Sequence, residues 1–351
     1  MKKICLISTG LAGGGMERSL TSLANYFSSK GHQVTIINLF KTDIFFELDY
    51  KIKLFWPGFE RKKYHRLLYA VIIIPYIRRS IRIINPDVIL CFGEWFNSYI
   101  ILSTWFLNKP LFISDRMGPN LYLGRMLETA RKLLYKYTTG IISQTSIAGE
   151  ILFKKTKAKN IKVIPNAVNV IDTDISIKKK QIVTVGRLSG EKGHSILLKA
   201  FAQLDQKDWT LHIIGGGNKK QELINEAKRL GISDRVLFYG YMKDFSEILG
   251  KSEIFVLPSL YEGFPNALIE AMSVPLACIS SDCIAGPGDI IQNGTNGLLF
   301  KTGDEKELCN AIKRLINDTE FRMNLSLEAY KVRENYFFDK MAQQYLDFLV
   351  N

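Results

Sequence analysis

Cysteine is scarce in this chain of 351 residues, and its five cysteines are scattered. Because their number is odd and no Cys-x-x-Cys pair occurs, we expect no disulfide framework and no zinc finger. Isolated cysteines of this kind are typical of a reduced, cytosolic protein. They are Cys5, Cys91, Cys278, Cys283 and Cys309.

The sequence also lacks a hydrophobic run that would cross a bilayer. The apolar stretch from Leu67 to Ile77 spans about 11 residues against the roughly 20 of a spanning helix, and Pro75 interrupts it. At the N-terminus, the apolar run that ends before Gly10 is shorter than the core of a secretory signal. It is interpreted as a first strand.

Acidic residues are few where basic ones are many, which gives a net charge of +13. Residues 51–160 hold 19 Lys and Arg against 6 Asp and Glu, and residues 61–83 are the densest part. Basic flanks around Tyr, Leu and Ile suit a segment that lies on an anionic membrane face. An amphipathic core helix with a solvated basic side is the alternative. Nucleic acid is not an expected partner, because no zinc-finger, RRM or helix-turn-helix signature occurs.

Short apolar runs alternate with helical patterns, which predicts α/β domains with parallel sheets. The pattern restarts after the polar segment 165–180, so we expect two Rossmann-like domains over 1–168 and 169–335. The amphipathic pattern in 336–351 predicts a final helix that packs back across the joint. Strands are predicted at Lys3–Ser8, Val34–Leu39, Val88–Phe92, Leu111–Ser114, Gly140–Ser143, Lys162–Ile164, Gln181–Val185, Trp209–Ile214, Val236–Tyr239, Ile254–Leu257 and Leu276–Ser280.

Three glycine-rich turns follow predicted strands and precede helices: "TGLAGGGMER", "VGRLSGEKG" and "IIGGGNKK". Glycines allow close backbone approach, and helix N-termini favour anions such as phosphate. The first turn is not a dinucleotide fingerprint, because the next strand ends in Asn38 and Leu39 rather than an acidic residue. A tight turn without a ligand is its structural alternative.

The second turn places Arg187 and Lys192 at the carboxyl edge of a parallel sheet, where doubly wound folds bind ligands. Two fixed cations there suit a diphosphate that gains charge as a bond to it breaks. Ordinary surface charge is the alternative. His194 is interpreted as a capping or packing residue.

The stretch "SLYEGFPNALIEAM" sets Glu262 and Glu270 eight residues apart around a Gly-Phe-Pro turn. A lone buried carboxylate is costly, which points to a polar ligand. A carboxylate can hold two vicinal hydroxyls, such as those of a ribose or a hexose. Free N-H groups at the start of the following helix would meet further hydroxyls.

Taken in order, "GGMER", "PNAV", "VGRLSGEKG" and the E-x7-E of "EGFPNALIE" resemble the retaining glycosyltransferases of family 4. The resemblance covers nearly the whole chain. It implies the GT-B fold, in which two Rossmann-like domains face a central cleft. It also implies a nucleotide-sugar donor and no metal ion or other cofactor.

The resemblance implies a role for each matching position. Arg187 and Lys192 would bind the donor diphosphate, and Glu262 the transferred sugar. The ribose hydroxyls would be held by Glu270, and the base by the backbone at Met242. Further donor-binding positions are Gly14, Gly15, Gly215, Gly216, Gly263, Phe264, Pro265 and Asn266.

Two positions depart from the family pattern. Met16 replaces the alanine of the usual glycine loop, and Arg116 stands where many relatives carry a histidine. Asp115 and Arg116 are therefore acceptor-side candidates, with a structural ion pair as the alternative. Asp172 and Asp174 form a D-x-D pair, but their place in the linker argues against a metal role.

The expected function is transfer of a hexose or N-acetylhexosamine from a UDP-sugar to a lipid-linked, polyprenyl-diphosphate oligosaccharide in surface polysaccharide or glycan assembly. The expected location is cytoplasmic, peripheral on the inner face of the membrane. A GDP-mannose-dependent transferase and an inactive nucleotide-sugar-binding scaffold are the alternatives. Retention would proceed by same-face attack or through a covalent intermediate, and the resemblance favours the former.

Overall fold

The computed structural model describes residues 1–60, 63–116, 118, 122–166, 171, 177–284 and 286–350. The chain divides into two compact units. Unit 1 comprises Met1–Ala167 and Phe338–Asn351, and unit 2 comprises Val168–Phe337. Most of the predicted linker, with Asp172 and Asp174, lies outside the described residues.

The strands and helices are numbered in chain order. The strands are β1 Lys3–Ser8, β2 Gln33–Asn38, β3 Lys53–Phe55, β4 Val88–Phe92, β5 Leu111–Asp115, β6 Gly140–Ser143, β7 Ile161–Val163, β8 Gln181–Val185, β9 Thr210–Ile214, β10 Val236–Gly240, β11 Ile254–Leu257, β12 Ala277–Ser281 and β13 Leu298–Phe300. The helices are α1 Gly15–Ser29, α2 Arg66–Ile84, α3 Glu94–Thr104, α4 Arg125–Leu134, α5 Ser146–Thr156, α6 His194–Ala202, α7 Lys220–Arg229, α8 Ser246–Lys251, α9 Asn266–Met272, α10 Pro287–Ile290, α11 Glu305–Asn317, α12 Thr319–Tyr330, α13 Val332–Tyr336 and α14 Phe338–Val350.

Unit 1 is built on a parallel sheet with the strand order β3-β2-β1-β4-β5-β6-β7. Strands β1, β4 and β5 are almost wholly buried, which explains their continuous apolar sequences. The six strands predicted for this part of the chain are confirmed, with small shifts at some ends. The short edge strand β3 was not predicted.

Helix α2 runs through Pro75 without ending, although this proline interrupts the apolar stretch of the sequence. Proline removes one backbone hydrogen bond within a helix. Ile73, Ile77 and Ile81 are buried on both sides of it and hold the two halves of the helix against the sheet. Packing therefore outweighs the local cost of the proline.

The last helix, α14, belongs to unit 1 although unit 2 precedes it in the chain. Its apolar face is buried in the same core as residues of α1 and β4. The rings of Phe348 and Phe112 lie 5.1 Å apart. The first sheet is therefore covered partly by the end of the chain.

Unit 2 has a parallel sheet in the order β10-β9-β8-β11-β12-β13. This is the Rossmann order 3-2-1-4-5-6, in which the strand order reverses between β8 and β11. The five strands predicted for this unit are confirmed, and β13 is an addition. Within the described residues, no helix has the length and apolar character that crossing a membrane requires.

Candidate functional site

The candidate site in unit 2 lies where the strand order reverses. The loop after β8 contains Arg187 and Lys192, and the loop after β11 contains Glu262. Since β8 and β11 are neighbours in a parallel sheet, their carboxyl ends meet at one edge. That edge is the usual ligand-binding position of a doubly wound fold.

The two loops are joined through their backbones. The N-H of Leu260 donates to the carbonyl oxygen of Glu191 at 2.8 Å. Gly193 has a φ of 65°, and a side chain there would overlap the carbonyl oxygen of Pro258. Glycine is needed at this position for both conformation and space.

Lys192 and Glu262 form an ion pair at the centre of this edge. The Nζ atom of Lys192 donates to Oε1 of Glu262 at 2.6 Å. Oγ of Ser259 donates to the same oxygen at 2.6 Å, and Oγ of Ser281 donates to the carbonyl oxygen of Ser259. Glu262 is 6% exposed, so the lysine and the serine offset the cost of burying its charge.

Arg187 differs from Lys192 in its environment. Its side chain is exposed, and it has no hydrogen bond or ion pair to another described residue. The charge of Lys192 is balanced by Glu262, whereas that of Arg187 is available to an anion. Arg187 and Lys192 look alike in the sequence, but their side chains therefore have different environments in the folded chain.

Glu270 lies on the short helix α9, which begins after Pro265. It is 7% exposed among buried neighbours in its helix. Phe264 is also buried and its ring lies 6.3 Å from that of Tyr336. Packing of this kind fixes the Gly263–Asn266 turn and the helix that carries Glu270.

The third glycine turn joins the same edge. The N-H of Leu188 donates to the carbonyl oxygen of Gly216 at 2.9 Å, which ties the turn after β9 to the loop after β8. Gly216 lies beside Tyr241, and the half-buried Met242 follows it. The donor-side positions predicted in unit 2 thus lie at one sheet edge, on loops that follow the strands and on helix α9.

Gly215→Ala is expected to lower the melting temperature by several degrees. Gly215 has a φ of 148°, and a side chain there would overlap the carbonyl oxygen of Gly186. Backbone strain of this kind costs about 1–3 kcal/mol. Thermal unfolding of the purified protein measures the effect. Gly216→Ala is the matched control, because its nearest contact would be an ordinary 3.6 Å to Tyr241. Equal melting temperatures for the two variants would contradict this account.

His194 is buried at the start of α6, and neither ring nitrogen has a hydrogen-bond partner among the described residues. Burial, together with the nearby charge of Lys192, lowers the pKa of His194 to about 4. The ring is therefore neutral at pH 7. This agrees with its interpretation as a packing residue.

The remaining predicted site residues belong to unit 1. Gly14 and Gly15 stand at the start of α1, with Gly14 in extended backbone. They follow strand β1. The strand order of the unit 1 sheet reverses between β1 and its neighbour β4. The first glycine turn therefore occupies the same topological position in unit 1 as Arg187 does in unit 2.

Asp115 is not paired with Arg116, which corrects one of the alternatives. Its carboxylate binds the buried guanidinium of Arg131, and burial raises the pKa of Asp115 against the opposing effect of that arginine. Arg116 donates instead to Ser19, at 2.8 Å, and to Asn166. Successive residues of an extended chain point to opposite faces, which separates the two side chains.

Sequence reasoning missed several polar residues around these positions. Ser259 donates to Glu262, and Ser281 donates to the backbone of Ser259. Arg116 donates to Ser19 and Asn166, and Gln144 donates to Asn166. Four of the five lie at or just after a strand end, which is the signal that would have pointed to them. In the part of the chain that the structure describes, no group of three or more His, Cys, Asp and Glu side chains is arranged for a metal ion.

Two parallel sheets in Rossmann order, each with a glycine turn where its strand order reverses, define a protein of the two-domain Rossmann class. Residues 13–171 match the family model Glycosyltransferase Family 4, and residues 170–332 match Glycosyl transferases group 1. Together the two models span residues 13–332, so the chain combines a Glycosyltransferase Family 4 domain with a Glycosyl transferases group 1 domain and is a glycosyltransferase.

Two relatives are similar over most of the chain. One is an α-1,4-N-acetyl-D-galactosaminyltransferase of Campylobacter jejuni, named for the acceptor GalNAc-α-(1→4)-GalNAc-α-(1→3)-diNAcBac-PP-undecaprenol. It is 28% identical over 99% of this chain and 98% of its own. The other is the lipopolysaccharide 1,6-galactosyltransferase of Salmonella typhimurium, 26% identical over 90% of each chain.

A solved structure shows the same fold. HepE of Anabaena, in complex with UDP and glucose, superposes with a TM-score of 0.83 over 99% of both chains at 18% identity. The expected GT-B fold is confirmed.

Proposed function

We propose that this glycosyltransferase moves a hexose or N-acetylhexosamine from a UDP-sugar to a lipid-linked, polyprenyl-diphosphate oligosaccharide in bacterial surface polysaccharide or glycan synthesis. The reaction retains the anomeric configuration. The observation that carries the proposal is the Lys192–Glu262 pair beside the exposed Arg187, where the strand order of unit 2 reverses. This group combines a carboxylate that can bind hydroxyls, Glu262, with two cations suited to a diphosphate, Arg187 and Lys192.

The donor occupies the carboxyl edge of unit 2. Arg187 and Lys192 bind its diphosphate, Glu262 and the Gly263–Asn266 turn bind the sugar, and Glu270 binds the ribose. The turn at Gly215 and Gly216 and the backbone of Met242 complete the nucleotide site. UDP as the nucleotide is supported by the HepE complex and by the N-acetylgalactosaminyl and galactosyl transfers for which the relatives are named.

The contacts of Glu262 favour same-face attack over a covalent intermediate. Its Oε1 already accepts hydrogen bonds from Lys192 and Ser259, which makes that oxygen a poor nucleophile. The bond from the anomeric carbon to the diphosphate oxygen breaks while the acceptor hydroxyl attacks from the same face. The hydroxyl proton passes to the leaving diphosphate, whose growing charge Arg187 and Lys192 stabilise.

Unit 1 holds the acceptor. Gly14 and Gly15, at the start of α1, bind a phosphate group, and Arg116 contacts the acceptor. Asp115 acts through Arg131 as a structural anchor for the end of β5. Residues 61–83, largely helix α2, contact the anionic inner face of the cytoplasmic membrane, where a polyprenyl-linked acceptor resides.

UDP and UDP-sugars are expected to raise the melting temperature, because a ligand that binds only the folded state stabilises it. At a ligand concentration about 100 times Kd the gain is about 2.7 kcal/mol. A thermal-shift panel of UDP, GDP and their sugar conjugates measures this without knowledge of the acceptor. Glu226→Ala removes a buried carboxylate on α7 that accepts a hydrogen bond from Ser195, and this variant is expected to keep the nucleotide-induced shift.

A shift in melting temperature with GDP compounds alone would indicate that the donor is GDP-mannose or a related GDP-sugar rather than a UDP-sugar. If no nucleotide changed the melting temperature while a control transferase responded, the donor site would be refuted. Nucleotide binding without hydrolysis or transfer of any sugar would identify an inactive scaffold.

A further inference from the structure

Three exposed rings form a patch in unit 1 that the proposed reaction does not use. Trp105 is 39% exposed, Phe106 84% and Tyr137 59%. The centroid of the Trp105 ring lies 5.9 Å from that of Phe106 and 5.3 Å from that of Tyr137. These residues, called the aromatic patch below, belong to the loop between α3 and β5 and to the turn after α4. Contiguous exposed apolar surface of this kind marks an interaction site.

The backbone of the patch is strained. Phe106 has a φ of 64°, and Asn108, two residues on, has a φ of 50°. Asparagine tolerates this left-handed conformation, whereas for a bulky residue it is an outlier. The chain therefore carries a large apolar side chain at an exposed position where a smaller polar residue would fold with less strain. Strain of this kind, of order 1–3 kcal/mol, is concentrated at functional positions.

The surroundings of the patch are basic. Nη1 of Arg78, on α2, donates to the carbonyl oxygen of Trp105 at 2.8 Å. Nζ of Lys136 lies 5.2 Å from the ring centroid of Tyr137. Segments 66–86, 105–114 and 129–149 contain no aspartate or glutamate, although Asp87, Asp115, Glu128 and Glu150 adjoin them.

Helix α2 extends the surface along one side of unit 1. Its exposed side chains include Leu68, Val71, Arg79, Arg82 and Ile83. As the connection between two parallel strands, α2 runs from the carboxyl edge of the sheet to the amino edge. Arg79 and Arg82 are thus exposed on the same helix from which Arg78 contacts the aromatic patch.

We propose that the aromatic patch inserts into the interfacial region of an anionic lipid bilayer, with the arginines of α2 on the phosphate headgroups. Trp and Tyr are enriched at this depth because their rings are apolar with one polar atom. Exposed arginines complement an anionic leaflet at about 1 kcal/mol each. The inference rests on the proposed function, since a lipid-linked acceptor requires the enzyme at a membrane. It adds an insertion element outside residues 61–83.

Co-sedimentation of the full chain with phosphatidylcholine vesicles, with and without phosphatidylglycerol, tests the proposal. Phe106→Asn is expected to weaken partition to anionic vesicles at least about ten-fold, because one large apolar side chain no longer inserts. The same variant is expected to melt at an equal or higher temperature, because asparagine fits the backbone better. Lower vesicle binding together with undiminished stability is a result that a merely structural role would not give.

Tyr50→Ser is the matched control. Tyr50 is 90% exposed in unit 1 and has Nζ of Lys51 at 5.5 Å from its ring centroid, but Asp49 precedes it and it lies outside the patch. Its vesicle binding is expected to match the wild type. Tyr137→Ser supplies a second patch variant, expected to weaken binding in the same direction. Arg79→Gln is expected to weaken binding to anionic vesicles only.

Wild-type partition for both patch variants, or no binding of the wild type to any vesicle, would overturn the proposal. So would vesicle binding that 0.5 M salt abolishes and both patch variants leave unchanged, because charge alone would then explain it. The UDP thermal shift of each variant separates the two claims. Vesicle binding that depends on Phe106 in a protein that binds no nucleotide would defeat the proposed function and leave the membrane site in place.

Discussion

Arg187→Ala is expected to lower kcat about a hundred-fold, with a small change in the apparent affinity for the donor. Removing one fixed donor that stabilises developing transition-state charge costs about 10²–10³ in rate. Arg187 suits this role because its exposed side chain forms no hydrogen bond with a described residue, whereas Lys192 also pairs with Glu262. Slow hydrolysis of UDP-glucose, UDP-galactose and their N-acetyl counterparts, followed by chromatography, measures the loss without an acceptor.

The choice of controls follows from the same contacts. Lys228→Ala removes an exposed cation on α7, and its rate is expected to be that of the wild type. Lys192→Ala is a poor substitute for Arg187→Ala because it leaves Glu262 buried without its cation, at a cost of about 3–5 kcal/mol in stability. An Arg187→Ala enzyme with the wild-type kcat would refute the role assigned to this arginine.

Glu270→Ala is expected to weaken UDP binding about ten-fold to a hundred-fold with the fold intact. A hydrogen bond to a charged group contributes about 1.5–3 kcal/mol, and a ribose offers this carboxylate two hydroxyls. Titration calorimetry measures the dissociation constant, and the far-ultraviolet circular dichroism and melting temperature check the fold. Glu226→Ala is again the control for loss of a buried carboxylate in unit 2.

Pairing the variant with a modified ligand makes the test specific for the ribose. The wild type is expected to bind 2′-deoxy-UDP more weakly than UDP, and Glu270→Ala is expected to bind the two almost equally. The preference for UDP over 2′-deoxy-UDP in the wild type, minus the same preference in Glu270→Ala, isolates the contribution of the contact between the carboxylate and the hydroxyl. If the preference for UDP persisted at full size in the variant, Glu270 would not be the ribose ligand.

Most of the strands that sequence reasoning located contain a continuous apolar run, as β1, β4 and β8 do. The two it missed, β3 and β13, have three residues each and lie at sheet edges. A run of three residues carries no usable period, and β7, which is equally short and also at an edge, was located with its bounds shifted by one residue. Helix α2 passes through Pro75 because its isoleucines pack on a sheet whose strands are far apart in sequence, which a local pattern does not show.

In the site, too, some features follow from local sequence and others depend on contacts between distant residues. Glycine turns at strand ends are local signals, and the Rossmann strand order then brings the turns of unit 2 to one edge. Which side chains pair there depends on contacts between residues far apart in sequence. The ion pair of Lys192 with Glu262 spans 70 positions, and Ser281 reaches Ser259 across two loops. Asp115 likewise pairs with Arg131 and not with its neighbour in sequence.

The return of α14 to unit 1 determines the order in which a ribosome can complete the two units. Unit 2 is one uninterrupted segment, so all its strands have been synthesised before residues 338–351 emerge. Unit 1 is completed only when Tyr345, Leu346 and Leu349 reach its core. Topologically, unit 2 is an insertion into unit 1, and unit 1 can finish folding only after unit 2 has been synthesised.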